Sequence, residues 1–412
     1  MEYEGQSTHI GYPLNPQTGE RYTGRSFHHG RFIKKLRESC ENTKAVTIFE
    51  ATANELVRDD GITVTGVRCT PKYKPTGGNT SSTSSIVVRG KLVIIADGCM
   101  SKFRKQVTSS HGNDGVKGRN PVTKSHLTGF LANQCCLPRP NNGHIFLGKP
   151  SSIIMYQISA TETRVLVDVP GNLPSASSGA LAKYMRNVAV KDIPSPVRDS
   201  FLKALDTERL RSMPAQYLPP SDNTEPGVLL VGDAFNMRHP LTGGGMTVAL
   251  WDVVHIRDIL YELVYEELEY SGRLQYIGGE QLRQTLVNEL RGRRWSRAAC
   301  INILAQSLHA IISGNASGNG CDETGMLREG CFRFFELGPD WTSGLAGTIA
   351  GIKTEPIAIF VYLFAIACYS MYISVASSKT ALHGIGAVVN GCKVIYAVLI
   401  ALLPTLFAEL FS

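Results

Sequence analysis

Charge is scarce in this sequence. Charged residues make up 19% of the 412 positions and hydrophobic residues 43%, leaner in charge than the roughly 25% of an average soluble domain. From Ile357 onward charge nearly vanishes, so the tail reads differently from the rest. No run of five or more basic residues occurs, so the net charge of +7 does not point to nucleic acid as a partner. The densest basic group is Arg291, Arg293, Arg294 and Arg297. It reads either as a solvated helix face or as a contact for anionic lipid headgroups or a phosphate. CxxC spacing is also missing. None of the ten cysteines forms such a pair and no histidine lies at ligand spacing from them, which argues against a zinc site. Several sit in apolar runs, where cysteine acts as a small hydrophobe, and this usage suits the reducing cytosolic side. The sequons at Asn79 and Asn315 would then carry no sugar. No secretory leader and no internal repeat is evident.

What is present is enough chain for two or three folding units. Phe32, Ile33, Leu36 and Cys40 recur at helical spacing, and residues 46–50 read as a short strand. Residues 62–68 alternate in β fashion, and a low-complexity loop at 77–85 leads to a buried strand at 91–96. Residues 153–158 and 164–169 flank the polar turn 160–163, which predicts a β-hairpin in a sheet-based unit. Val228, Leu229, Leu230 and Val231 form an apolar strand of the kind buried in a parallel sheet. A helix from Met246 to about Tyr270 follows, and helical sequence continues to about Leu337.

The segment from Val228 to Met246 carries the clearest chemistry. The strand runs into Gly232-Asp233, then His239-Pro240, then Gly243-Gly244-Gly245 at the head of the helix. A carboxylate directly after a central strand points into the crevice where α/β folds bind ligands, and Asp233 can accept hydrogen bonds there from ribityl or ribose hydroxyls. Consecutive glycines let backbone N–H groups approach an anion, and the helix N-terminus adds positive partial charge. A flavin, whose reduced forms carry negative charge at the N1–O2 edge, suits such a feature. The plainer reading is a glycine turn that caps a helix. At the second motif a strand again ends in an acid, Asp97, followed by Gly98, Ser101, Lys102, Arg104 and Lys105. There the choice lies between a helix cap and a cofactor contact. Metal ligation by the adjacent His28 and His29 is not expected, since neighbouring side chains point apart and no third ligand is near.

Residue by residue, the segment from Gly232 to Met246, GDAFNMRHPLTGGGM, resembles the GD motif of FAD-dependent monooxygenases, and specifically that of the squalene monooxygenase (squalene epoxidase) family. Asp97 and the Ser-Lys-Phe-Arg-Lys tail resemble the family's DG motif, tied to the FAD pyrophosphate. GRSFHHGRFIKKLR, ending at Arg37, is a third match. The resemblance makes Arg37 and Ala53 FAD contacts, beside Asp97, Asp233, Gly243, Gly244, Gly245 and Met246. It implies an α/β (α+β) chain: a Rossmann-like FAD-binding monooxygenase fold with an inserted β-sheet substrate domain and a C-terminal helical membrane-associated region. The expected units are 1–110, a partial FAD-binding domain; 111–226, the substrate-binding β-sheet domain; 227–270, the GD motif and its helix; 271–356, a helical region; and 357–412, membrane-associated helices.

The GxGxxG turn of a dinucleotide site is absent from residues 1–60. The chain therefore reads as N-terminally truncated relative to the family, with the family's tyrosine near the flavin lying upstream. Tyr3 is not assigned that role, so the catalytic residue is left unknown. The implied reaction is epoxidation of squalene to (S)-2,3-epoxysqualene with dioxygen, electrons coming from NADPH through NADPH–cytochrome reductase. Pro240, Leu241, Phe332, Phe334 and Phe335 are candidates for the apolar pocket, and core packing is the other reading of the phenylalanines. A flavin hydroxylase acting on a quinone or secondary metabolite, and a truncated non-catalytic paralogue, stay open as alternatives.

The tail completes the expectation. Residues 357–376 are uncharged and long enough to span a bilayer, while the second run, 394–408, is short and broken by Pro404. A buried soluble helix pair is the alternative to membrane lipid. Family resemblance favours helices that dip into one leaflet, on the cytosolic face of the endoplasmic reticulum or microsomal membrane.

Overall fold

The computed structural model describes residues 1–72, 85–108, 120–148, 151–220, 225–271, 279–313 and 323–410. The sequon asparagines, the loop 77–84 and Cys321 lie outside the described residues. Two short strands, β1 (Glu2–Tyr3) and β2 (Gln6–Ser7), open the chain, and helix α1 (His29–Glu41) follows. No residue of α1 is buried against the rest of the described chain. Next, β3 (Ala51–Arg58), β4 (Val64–Pro71) and β5 (Ile86–Arg89) form an antiparallel three-stranded sheet. β6 (Val93–Ile95) and the short helix α2 (Arg104–Thr108) complete this part.

The strand expected at 46–50 is not formed. Val46, Ile48 and Phe49 are exposed, and the ladder starts only at Ala51, where β4 supplies a partner. Apolar alternation marks a chain able to pair, but it cannot say where the neighbouring strand ends.

The second part is a seven-stranded sheet in the order β11-β7-β10-β9-β8-β1-β2. Its strands are β7 (Val122–Asn133), β8 (His144–Phe146), β9 (Ile153–Gln157), β10 (Glu162–Pro170) and, after helices α3 (Ala180–Asn187) and α4 (Ser195–Thr207), β11 (Arg211–Tyr217). The expected hairpin is β9–β10, with Thr163 opposite Gln157 and Val167 opposite Ile153. Alternate residues of these strands, Ile153, Met155, Val165 and Val167, are fully buried beneath Met185 and Phe201 of the two helices. Period-two burial of this kind sets the register, because a one-residue slip would turn each apolar side chain to water. The Phe201 ring meets Phe130 edge-on at 5.2 Å.

β12 (Val228–Leu230) pairs in parallel with β6. β12 is buried throughout, as expected. β6 is not: Ile95 is buried but Ile94 is 48% exposed, while its register partner Leu229 is covered by Ile256, Ile259, Leu286 and Leu290 of the helices that follow. The helical part then runs through α5 (Gly245–Ser271), α6 (Gly279–Arg294), a π turn at Trp295–Ala299, α7 (Cys300–Ser313), α8 (Glu323–Glu336), α9 (Pro339–Ile349), α10 (Pro356–Ala376) and α11 (Ala381–Leu410).

α11 is much longer than the run 394–408, and the helix continues through Pro404. Glycine and lysine dilute the hydropathy of its first half. α10 and α11 are long and apolar enough to cross a membrane, over Pro356–Ala376 and Ala381–Ile400. Their inner faces pack Ile359, Leu363, Ile366, Val394 and Leu402 against Leu304 and Phe332. Their outer faces leave Ile357 79% and Leu382 83% exposed. A fully buried soluble pair does not describe these helices.

Candidate functional site

The parallel pair β6–β12 brings two acids to one edge. Val228, Leu229 and Leu230 stand opposite Val93, Ile94 and Ile95, and the Val231 N–H continues the ladder to the Ile95 carbonyl at 3.0 Å. Both strands thus end at the same level, and Asp97 and Asp233 follow in the loops beyond. Both carboxylates are exposed at the C-terminal ends of parallel strands, the position where ligands meet α/β sheets.

Arg104 stitches the two loops together. Its Nε donates to the Ala234 carbonyl at 2.7 Å, and its Nη2 donates to the carbonyls of Asp233 (2.9 Å), Cys99 (3.0 Å) and Gly98 (3.3 Å). Burial lowers its pKa from the ordinary arginine value, and the charges of Asp97, Cys99 and Asp233 work in the opposite direction. A guanidinium has five fixed donors and stays charged, which suits it to hold several carbonyls at once.

The cap question at Asp97 resolves into two residues. Ser101 Oγ accepts the Arg104 N–H at the start of α2 (3.2 Å), while Asp97 Oδ2 accepts the Lys102 N–H in the turn before it (3.3 Å). Lys102 Nζ in turn donates to the Ala53 carbonyl. The basic tail after Asp97 therefore joins Ala53, Asp97 and Asp233. Arg37 is not drawn into this group and lies exposed on α1.

After Asp233 the chain enters a buried loop. His239 is 2% exposed. Its Nδ1 accepts the Leu241 N–H at 3.2 Å, which puts the ring proton on Nε2. Nε2 faces Ser125 Oγ at 3.1 Å on β7 and Asp168 Oδ1 at 3.6 Å on β10. One imidazole thus fixes the loop to the large sheet and sets the turn at Pro240–Thr242.

The three glycines meet different needs. Gly243 takes φ +64°, a left-handed conformation that disfavours side chains. A Cβ on Gly244 would stand 2.3 Å from Ile301 Cγ2, so α7 packs directly on the loop backbone. Gly245 opens α5, and a Cβ there or on Gly243 would meet nothing within 4 Å. Bare backbone thus faces open space at a helix N-terminus, whose first N–H groups have no partner within the helix. Met246 lies exposed beside it.

The apolar candidates also come together. Leu241 shares one core cluster with Phe332, Phe334, Phe335 and Tyr3, while Pro240 is half-buried. Tyr3 and Phe332 ring centroids are 5.9 Å apart. Cys300 and Cys331 lie in the same cluster, and burial pushes both thiols up to about 12, which makes them poor nucleophiles. Among the described residues no group of three or more His, Cys, Asp or Glu is arranged to hold a metal ion.

The arginine group is not a uniform solvated face. Arg294 is 6% exposed and pairs with buried Asp252 at 2.6 Å, with its guanidinium 4.7 Å from the Phe235 ring. Arg293 pairs with Glu262 at 2.6 Å, and Arg297 lies 3.7 Å from the Trp251 ring. The missed signal is spacing: Arg294 falls on the stripe of Leu290 and Ala298, which is buried. Arg104, His239 and Asp168 are likewise ties that pattern does not disclose, since Ala234, Ser125 and His239, which they meet, are distant in sequence.

Comparison with known proteins bears on this site. A sequence model of squalene epoxidases matches residues 89–387, which takes in Asp97, Asp233, the three glycines and α10. The chain belongs to the squalene epoxidase family. It is 38% identical over 356 residues to squalene epoxidase erg1 of Aspergillus fumigatus, covering 85% of this chain and 66% of that protein. It is 33% identical over 412 residues to squalene monooxygenase of Mus musculus, covering 99% of this chain and 65% of that protein. The chain thus spans slightly less than two thirds of the length of these relatives. Its fold is similar to that of Klebsiella pneumoniae HpxO complexed with FAD and uric acid, with a TM-score of 0.50 at 18% identity, covering 83% of this chain and 82% of that one. The squalene epoxidase assignment and this likeness of fold agree with the expected α/β class.

Proposed function

We propose that the protein is an FAD-dependent monooxygenase that epoxidises squalene to (S)-2,3-epoxysqualene with dioxygen, fed by NADPH-derived electrons through NADPH–cytochrome reductase. The observation that carries the reading is the convergence of Asp97 and Asp233, tied by Arg104, beside bare glycine backbone at the head of α5. In this reading Asp233 accepts hydrogen bonds from the ribityl hydroxyls and the Asp97 loop meets the pyrophosphate. The Gly243–Met246 backbone and the α5 N-terminus face the flavin edge, where partial positive charge favours the reduced form. Arg37 is proposed as a FAD contact and Ala53 on the adenine side. Bound FAD supplies the reduction of dioxygen and the transfer of one oxygen atom to a terminal alkene, the other atom leaving as water.

The protein's own part is to bind, orient and exclude water. Pro240 and Leu241, beside Phe332, Phe334 and Phe335, offer an apolar surface to an isoprenoid chain. Holding the alkene there lowers the barrier through orientation, without acid–base groups. The outward faces of α10 and α11 support membrane association, and we place the protein on the cytosolic side of the endoplasmic reticulum or microsomal membrane. The test is product analysis. Protein kept in its native membranes, with any flanking segment retained, is given squalene, NADPH and the reductase, and a mono-epoxide is expected. An unaltered squalene pool, beside turnover of a quinone, would replace this reading with the other flavin hydroxylase.

A further inference from the structure

The last helix carries a carboxyl group into the interior. Glu409 lies on α11, beyond the apolar stretch that ends at Ile400, and is 8% exposed. Its Oε1 accepts from Asn302 Nδ2 at 2.7 Å. The same amide nitrogen donates to Asn236 Oδ1 at 2.9 Å. Asn236 Oδ1 also accepts from Arg238 Nη2 at 2.6 Å and from Arg294 Nη2 at 3.3 Å. Arg238 reaches the Asn236 carbonyl at 2.7 Å and the Gly245 carbonyl at 3.4 Å. A continuous polar path thus runs from the end of α11, through α7, to the glycine that opens α5.

Every side chain on this path is buried; Asn236 and Asn302 are completely so. Burial and the neighbouring Arg294 push Arg238 down to about 10. Inside a low-dielectric interior such a network fixes one geometry when all its members are satisfied, and loosens when one is lost. The loop it fixes is the one between Asp233 and the bare glycines. The end that anchors it belongs to one of the two helices with exposed apolar outer faces.

We propose that Glu409 is a positioning residue that couples the seating of α11 to the shape of the Asn236–Arg238–Gly245 loop. The consequence for catalysis rests on that loop holding the flavin edge. The coupling itself does not. A C-terminal helix displaced from its seat releases Asn302 and Asn236, and the loop backbone opens.

The experiment compares the full chain with Glu409→Ala, Glu409→Gln and Leu402→Ala in detergent micelles, by amide hydrogen exchange and by FAD titration. Leu402 is buried on the same helix but packs in the apolar cluster, so it controls for general loosening. Glu409→Ala is expected to speed exchange across residues 236–246 by about tenfold, as local opening free energies of this size permit. Glu409→Gln keeps the acceptor for Asn302 and should recover most of the protection. Leu402→Ala should lower the melting temperature without singling out the loop. FAD should bind about tenfold more weakly to Glu409→Ala, a change of ~1.4 kcal/mol. Unchanged exchange in Glu409→Ala, or equal loop opening in Leu402→Ala, overturns the coupling. If no form binds FAD, wild type included, the exchange data alone decide the coupling.

Discussion

The Arg104 guanidinium donates to the backbone carbonyl of Asp233 at 2.9 Å, although the two residues lie on different strand–loop units. Because the same Nη2 also reaches the carbonyls of Gly98 and Cys99, one side chain sets the spacing of both acidic loops. The pair of carboxylates is therefore held by a residue that contacts neither carboxylate directly.

Replacing Arg104 should damage the site more than its distance from any ligand would imply. Arg104→Ala leaves four carbonyls without their donor, and is expected to cost about 2–4 kcal/mol of stability. Arg104→Lys should recover little, because an ammonium cannot span the fork. Denaturant midpoints of the three forms check this.

Asp233→Ala should weaken FAD binding with little effect on the fold, since the residue is exposed. A charge-assisted bond contributes about 1.5–3 kcal/mol, so the Kd is expected to rise roughly ten- to hundredfold. Flavin fluorescence titration measures it.

Gly244→Ala places a methyl 2.3 Å from Ile301 Cγ2. The expected cost is about 1–3 kcal/mol from overpacking. A second change, Ile301→Ala, which removes Cγ2 itself, should show favourable coupling to Gly244→Ala in a double-mutant comparison of melting temperatures.

His144 gives a pH signature. Burial lowers its pKa below the ordinary 6.5, and its Nε2 accepts the Arg139 N–H at 3.1 Å, which requires the neutral ring. The unfolded chain therefore takes up the proton first as pH falls. Stability is full above about 6.5 and declines as pH drops through the window below it. His144→Gln should flatten that decline in melting curves between about pH 7.5 and 5.5.

Membrane attachment is best tested from the outer faces of the last two helices. Deleting α10 and α11 would strip Ile359, Leu363 and Ile366 from the core around Phe332, so a deletion confounds anchoring with unfolding. Serine at the exposed positions Ile357, Val361, Leu382 and Ile385 leaves that core intact. The quadruple variant should shift from the membrane pellet to the supernatant while keeping its melting temperature.

The sequence made the acids, the glycine turn and the apolar tail legible because each is local. Asp233 follows its strand within three residues, and periodicity over 153–169 specifies a hairpin. What it did not disclose depends on long-range closure. Arg104 appears as one basic residue among three until β6 and β12 pair. Arg294 appears solvated until α6 packs on α5 beside Asp252. The strand read at 46–50 failed for the same reason, since pairing belongs to two segments and pattern to one. Arg37 was legible only by resemblance, and its exposed place on α1 gives no contact of its own with the acidic loops.

The central claim is that this site transfers an oxygen atom from dioxygen to squalene. The direct measurement supplies isotopically labelled dioxygen, squalene, NADPH and the reductase to the protein in its native membranes, and weighs the product by mass spectrometry. The account predicts 2,3-epoxysqualene carrying one labelled oxygen atom, formed in Asp233→Ala only in proportion to the flavin that variant retains. Epoxide formed without the label, or labelled epoxide at the wild-type rate from a variant that has lost its flavin, would contradict it.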